Sequence, residues 1–269
     1  MRRRANISVF SKSTEELHRI FEKIKDDLFE GKIYSDNFTV RIYEDTEGYK
    51  TLLDEIEKSG LRYTFAEARE YTKQELESAE FYYTWFIYPW QHDPKHAEDF
   101  GTKFDNIIGC NACGRGKEQV SSLFIDMKKI IKYKIGTVVP EIFVSDDIRN
   151  AFEANNITGI NFGEVKDYKN REMPKYYQLF VNNILSPMSD RIRVEMEEAS
   201  KCKICGNGGI YLRSEMIYKK EDLADAKDFN LTKEYLWGYG IRQVVISSKV
   251  RNLFREHKCR VGYEPVEII

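Results

Sequence analysis

No stretch of this sequence approaches the ~18 consecutive apolar residues that a membrane-spanning helix requires. The longest apolar run, at 81–90, is short and aromatic and ends in Pro89-Trp90. A basic head, Met1-Arg2-Arg3-Arg4, opens the chain. The apolar stretch behind it, Ile7-Ser8-Val9-Phe10, is too brief for a secretory leader and has no cleavage site. These absences lead to the expectation of a cytoplasmic protein with no membrane partner. Excess charge is also missing: 42 Lys and Arg against 44 Asp and Glu give a net charge of −2. That balance argues against affinity gained by blanketing phosphates with positive charge, although it is compatible with a local basic patch. Cysteines are few, 5 in 269 residues, with four in two tight pairs and Cys259 alone. Such spacing is a poor disulfide framework. GxSxG, P-loop and helix-opening GxGxxG patterns do not occur, so the common serine-hydrolase and nucleotide-enzyme signatures are excluded.

What the chain does have is aromatic mass. Phe, Trp and Tyr make up 13% of the residues, enough burial potential to exclude disorder. Its length suits two modest domains or one elaborated one. Charge divides it in two: residues 1–100 hold 15 basic and 21 acidic side chains, leaving 27 and 23 for 101–269. The polar segment 91–99, marked by Pro94, is the expected boundary, giving domains 1–98 and 99–269. The first domain reads as a small α/β layer structure. Ile7-Ser8-Val9-Phe10 is a strand, and Ser13 with Glu16 forms a capping box ahead of Leu17, Ile20, Phe21, Ile24 and Leu28 at helical spacing. Residues 38–43 alternate as a second strand, Tyr49, Leu52, Leu53 and Ile56 imply a second helix stopped by Gly60, and 81–88 reads as a buried third strand. Core packing takes most of that aromatic strand; its other face can present Tyr and Trp to a partner.

The second domain contains an internal repeat, spanning about 110–166 and 202–267. Val144-Ser145-Asp146-Asp147-Ile148-Arg149-Asn150-Ala151-Phe152 matches Ile246-Ser247-Ser248-Lys249-Val250-Arg251-Asn252-Leu253-Phe254. Ile160 to Val165 then aligns with Val261 to Val266. Each segment reads strand, Ser cap, short helix, strand. Ahead of each stands a CxxCG: Cys110-Asn111-Ala112-Cys113-Gly114 and Cys202-Lys203-Ile204-Cys205-Gly206. A CxxC turn brings two sulfurs close enough for one metal ion, and the following glycine accepts the left-handed backbone of such a knuckle. Two knuckles complete four thiolates, so Cys110, Cys113, Cys202 and Cys205 are expected to hold one structural Zn2+ shared between the two modules. Dithiol redox chemistry is the weaker reading, because a redox CxxC opens a helix, and Gly114-Arg115-Gly116 and Gly206-Asn207-Gly208-Gly209 oppose helix initiation.

Other candidates are thinner. His92 and His96 flank Asp93-Pro94, and Pro94 interrupts the helix that an i,i+4 ligand pair needs. His18 and His257 lack a nameable partner. Asp147 with Glu164 and Lys166 imitates a magnesium-nuclease pattern, but the second segment has Lys249 and Pro265 opposite the two acids. A basic run at Lys128, Lys129, Lys132 and Lys134 is the best footing for nucleic-acid binding, and a solvated edge explains it equally well. No catalytic residue is assigned.

The doubled CxxCG, each followed by a strand-Ser-helix-strand unit, resembles the bacterial double-CxxCG motif family. The likeness covers about residues 100–269, including Phe100-Gly101-Thr102-Lys103-Phe104-Asp105 before the first knuckle. It implies that the four cysteines are zinc ligands. Some members of that family are classed as immunity proteins, which bind and neutralise a toxin encoded beside them. The expectation is therefore an α+β, zinc-binding, non-enzymatic protein whose partner is a cognate toxin protein. The alternative is a zinc protein that binds nucleic acid.

Overall fold

The computed structural model describes residues 1–105, 107, 109–169, 175–236 and 241–269. The fold is mixed α+β, with strands dominating and six helices among the described residues. It divides into two compact units, Met1–Ser78 and Ala79–Ile269.

The first unit runs β1 (Arg2–Phe10), α1 (Thr14–Ile24), β2 (Leu28–Ile33), β3 (Asn37–Tyr43), α2 (Glu47–Ser59), β4 (Arg62–Glu70) and α3 (Lys73–Ser78). Its antiparallel sheet has the order β2-β3-β1-β4, the split β-α-β arrangement in which each helix crosses over one intervening strand. The alternation in β1 puts Ala5, Ile7 and Val9 on the helix-covered face, where they pack with Leu17, Ile20, Ile24, Phe38, Val40, Ile42, Leu52 and Ile56. At the start of α1 the Ser13 hydroxyl accepts the Glu16 amide at 3.2 Å. The reciprocal half of the expected capping box is absent. The Glu16 carboxylate takes the Ser11 hydroxyl at 2.7 Å, and the Ser13 amide donates to Ser11 instead. Gly60 closes α2 in the left-handed conformation, φ 60°.

The second unit begins with β5 (Phe81–Phe86), followed by β6 (Phe104–Asp105), β7 (Glu118–Gln119), β8 (Leu123–Ile125), α4 (Met127–Ile130), β9 (Ile135–Val138), β10 (Glu141–Ser145), α5 (Asp146–Ala154) and β11 (Ile160–Asp167). It continues with β12 (Tyr176–Val181), β13 (Val194–Met196), β14 (Ile210–Leu212), β15 (Ile217–Tyr218), β16 (Phe229–Leu236), β17 (Ile241–Ser247), α6 (Ser248–Glu256), β18 (Val261–Pro265) and β19 (Glu267–Ile268). The division therefore lies N-terminal to the boundary expected at 98. The reason is β5, which leaves the first unit's sheet and hydrogen-bonds β17 on one side and β18 on the other.

Two sheets, β8-β11-β12-β10-β9 and β16-β17-β5-β18, carry the repeat segments. Both segments follow the expected strand-helix-strand course, and their pairing registers coincide. Ser145 lies opposite Tyr176 and Ser247 opposite Phe81; Ile160 lies opposite Val181 and Val261 opposite Phe86. In each sheet an antiparallel strand is inserted between the two strands of the repeat. In the second sheet that strand, β5, comes from ahead of the first segment, whereas β12 follows β11 directly, so the first sheet is built from five consecutive strands, β8 to β12. Helices α5 and α6 meet in a shared core, where the matched rings of Phe152 and Phe254 touch with centroids 5.9 Å apart.

Candidate metal centre

Both knuckles sit at the tips of two-stranded hairpins. Strands β6 and β7 pair through Phe104 with Gln119 and Asp105 with Glu118, and the loop between them carries Cys110 and Cys113. Strands β13 and β14 pair from Val194 with Leu212 to Met196 with Ile210, and their loop carries Cys202 and Cys205.

The two loops close by the same bonds. The Gly114 amide donates to the Cys110 carbonyl at 2.7 Å, and the Gly206 amide to the Cys202 carbonyl at 2.8 Å. The Cys110 amide returns to the Arg115 carbonyl and the Cys202 amide to the Asn207 carbonyl. Both glycines are left-handed, with φ 68° and 69°, a region that a Cβ disfavours. A further bond joins the loops directly: the Arg115 guanidinium donates to the Asn207 carbonyl at 2.6 Å.

This geometry gathers the sulfurs of Cys110, Cys113, Cys202 and Cys205 within 4.8 Å of one another, close enough to hold one metal ion. Cys110 Sγ lies 3.8 Å from Cys202 Sγ, and Cys113 Sγ lies 3.6 Å from Cys205 Sγ. Those separations are well beyond the ~2.05 Å of an S–S bond, so the four are thiols. The Asn207 amide draws the Cys205 thiol down to about 6, and backbone amides lower Cys202 as well. Burial pushes Cys113 up to about 11. One chain segment thus offers a ready thiolate, and the other a thiol that must lose its proton to a metal.

The remaining candidates stay apart. Among the described residues, the cysteines are the one cluster of at least three His, Cys, Asp or Glu with metal-holding spacing. Asp147 is held by Lys134 at 3.2 Å, which also neutralises one member of the basic run. Glu164 contacts Lys166 at 3.5 Å and the Ser122 hydroxyl at 3.2 Å, neither of them a partner of Asp147. The His96 amide donates to the Asp99 carboxylate at 2.7 Å, closing a short turn. Cys259 is packed into the core, where burial raises its thiol to about 11. No helix among the described residues is long and apolar enough to cross a membrane.

Sequence reasoning did not find a cavity beside the first knuckle, of about 720 Å3, lined by Cys113, Lys117, Glu141, Phe180, Tyr235 and Arg242 among others. Its polar floor is assembled from three segments, so no local pattern announces it. Searched against protein-family models and against curated proteins, the sequence matches none.

Proposed function

We propose that this chain is a zinc-stapled, non-enzymatic binding protein that acts on another protein, neutralising a cognate bacterial toxin by covering its active site. The observation that carries the reading is the gathering of four sulfurs from two matched hairpin tips. A tetrahedron of ~2.3 Å Zn–S bonds has edges of ~3.8 Å, close to the separations between the matched cysteines. Four thiolates fill the coordination shell of such an ion and leave no position for water or substrate, which makes the centre structural. The resemblance to the double-CxxCG family supplies the expectation of a toxin partner. The two repeat segments are read as copies of one module, each contributing a knuckle.

Apolar side chains left exposed at the loop tips support protein binding. Ile204, inside the second knuckle, is 76% exposed, and Ile107, just ahead of the first, is 86% exposed. On β5, Trp85 is also exposed and lies against Tyr83, residue types favoured at binding hot spots. The test is co-expression with the product of the adjacent gene. A stoichiometric complex by size-exclusion chromatography, with loss of the toxin's activity in it, is the expected result. Absence of both complex and protection sinks the toxin reading, whatever the metal content.

A further inference from the structure

The cavity beside the first knuckle is built around a fixed carboxylate. Gln119 and Gln178 bond reciprocally through their amides, at 2.8 and 2.6 Å, and the Gln119 amide also donates to the Ser121 carbonyl. The remaining Gln178 hydrogen goes to Glu141 Oε2 at 2.5 Å. Gln178 is fully buried, so this chain of amides pins Glu141 from behind. The Glu141 carboxylate has no ion-pair partner and no second hydrogen bond among the described residues. A carboxylate only accepts hydrogen bonds, so the cavity floor asks for a ligand with donors.

The walls are apolar and partly aromatic, with Phe104, Phe180, Leu231 and Ile241. Three cations line the same cavity, Arg115, Lys117 and Arg242, beside the carboxylates of Glu98 and Glu118. Lys117 stands 4.3 Å from the centre of the Phe104 ring and pairs with Glu98. The Arg242 guanidinium stacks 4.7 Å from the Tyr235 ring, and one of its nitrogens holds the Thr232 and Lys233 carbonyls at 2.8 Å. A volume of about 720 Å3 is within the usual range for sites of small organic ligands.

We propose that this cavity binds a guanine mononucleotide, with the base edge on Glu141 and the phosphate on Lys117 and Arg242. Guanine presents two adjacent donors, its ring N–H and its exocyclic amine, to a carboxylate. Adenine places an acceptor nitrogen beside its amine, which an ionised carboxylate repels. A purely cationic ligand leaves Lys117 and Arg242 opposed, and a simple anion leaves Glu141 unanswered. A flat base also suits walls of aromatic and branched apolar side chains. The proposal goes beyond toxin binding and stands or fails separately from it.

Calorimetric titration of the metal-loaded full chain tests it, with GMP, AMP, guanosine and L-arginine as probes. GMP should saturate the site below about 100 μM and bind at least about tenfold tighter than AMP, ~1.4 kcal/mol. Glu141→Gln should weaken GMP about tenfold or more. Burial raises the Glu141 pKa above its ordinary 4.5. Its stabilisation of the fold is therefore greatest in acid and lost as pH rises, so the neutral amide should not unfold the protein at pH 7. Circular dichroism and metal content check this. Lys117→Met should weaken GMP but leave guanosine unchanged, which keeps the test alive if the first variant misfolds. No binding of GMP at about 1 mM overturns the proposal. So does unchanged GMP affinity in a folded Glu141→Gln protein, or L-arginine binding in preference to GMP.

Discussion

Arg251 and Arg149 occupy matched places in the two repeat helices, and their surroundings differ by one carboxylate. Arg149 stacks on Tyr177 at 4.3 Å and pairs with Glu153, one turn along α5, at 2.9 Å. One turn along α6 the residue is Arg255, so the second helix offers no such acid. Arg251 is instead 5% exposed and lies between the rings of Tyr82 and Tyr263, at 4.8 and 4.9 Å. A desolvated cation between two aromatic faces is worth about 2 kcal/mol, against under ~1 kcal/mol at a wetter site. Removing the side chain also leaves a void. Arg251→Ala should therefore destabilise by about 3 kcal/mol and Arg149→Ala by about 1 kcal/mol or less, measured by urea denaturation. Arg251→Met, which keeps the volume, separates the cation from the packing: a loss equal to that of alanine assigns the whole effect to charge and rings. The local difference, Glu153 against Arg255, does not reveal which arginine is buried, because the aromatic partners come from strands far away in sequence. The cysteines were legible for the opposite reason. CxxCG is a local turn whose chemistry is complete within five residues, and only the meeting of its two copies needed the fold.

At the scale of elements, the repeat made the same forecast twice and the fold kept it once in full. Ser145 and Ser247 both occupy the N-cap position of a nine-residue helix. The Ser247 hydroxyl accepts the Val250 amide at 3.4 Å and donates to Asp228 at 2.7 Å. The Ser145 hydroxyl is buried with no partner among the described residues, although its backbone is extended as a cap requires. A cap bond is worth about 1 kcal/mol, whereas a buried hydroxyl without a partner contributes nothing favourable. Ser247→Ala should lower stability by about 1 kcal/mol, and Ser145→Ala should be neutral or stabilising. Equal losses in thermal melts would contradict this assignment of the two caps. Strand β5 shows the other limit of reading elements one by one. Its aromatic alternation marks a buried strand, and Tyr82 and Thr84 are indeed buried, but alternation does not name the neighbours. Strand β4 was missed because its sequence, Arg62-Tyr63-Thr64-Phe65-Ala66-Glu67-Ala68-Arg69-Glu70, is half charged. It pairs along the whole length of β1, and the ion pair between Arg3 and Glu67 sits on the otherwise apolar face.

For the whole second unit, the placing of strand β5 decides what the metal centre can control. Strand β5 lies between β17 and β18, so the second sheet is completed by a strand from ahead of the first segment, while β12, between β10 and β11, continues the first sheet's own stretch of chain. The crossing of β5 was invisible in the sequence: the offset between matched residues shifts from 92 at the knuckles to 102 at the helices, and strand partners leave no such trace. The sheets therefore hold together through backbone pairing and the core around Phe152 and Phe254, while the hairpin tips depend on their own ligands. Metal loss should act locally. In Cys205→Ser, metal content should fall from stoichiometric to near zero, and hydrogen exchange should accelerate at 109–117 and 201–209. Amides of β5 and β12 should keep their protection. Acid should have the same effect on the wild-type chain. The Cys205 thiolate, lowered from 9.0 to about 6 by the Asn207 amide, contributes stability that is present above 9.0 and lost as pH falls through about 6. Metal release should follow the same descent, since each thiol that regains a proton ceases to be a ligand. Should β5 and β12 exchange as fast as the knuckles once the metal is gone, the centre holds the sheets themselves, and strand pairing by β5 is not what keeps the two halves together.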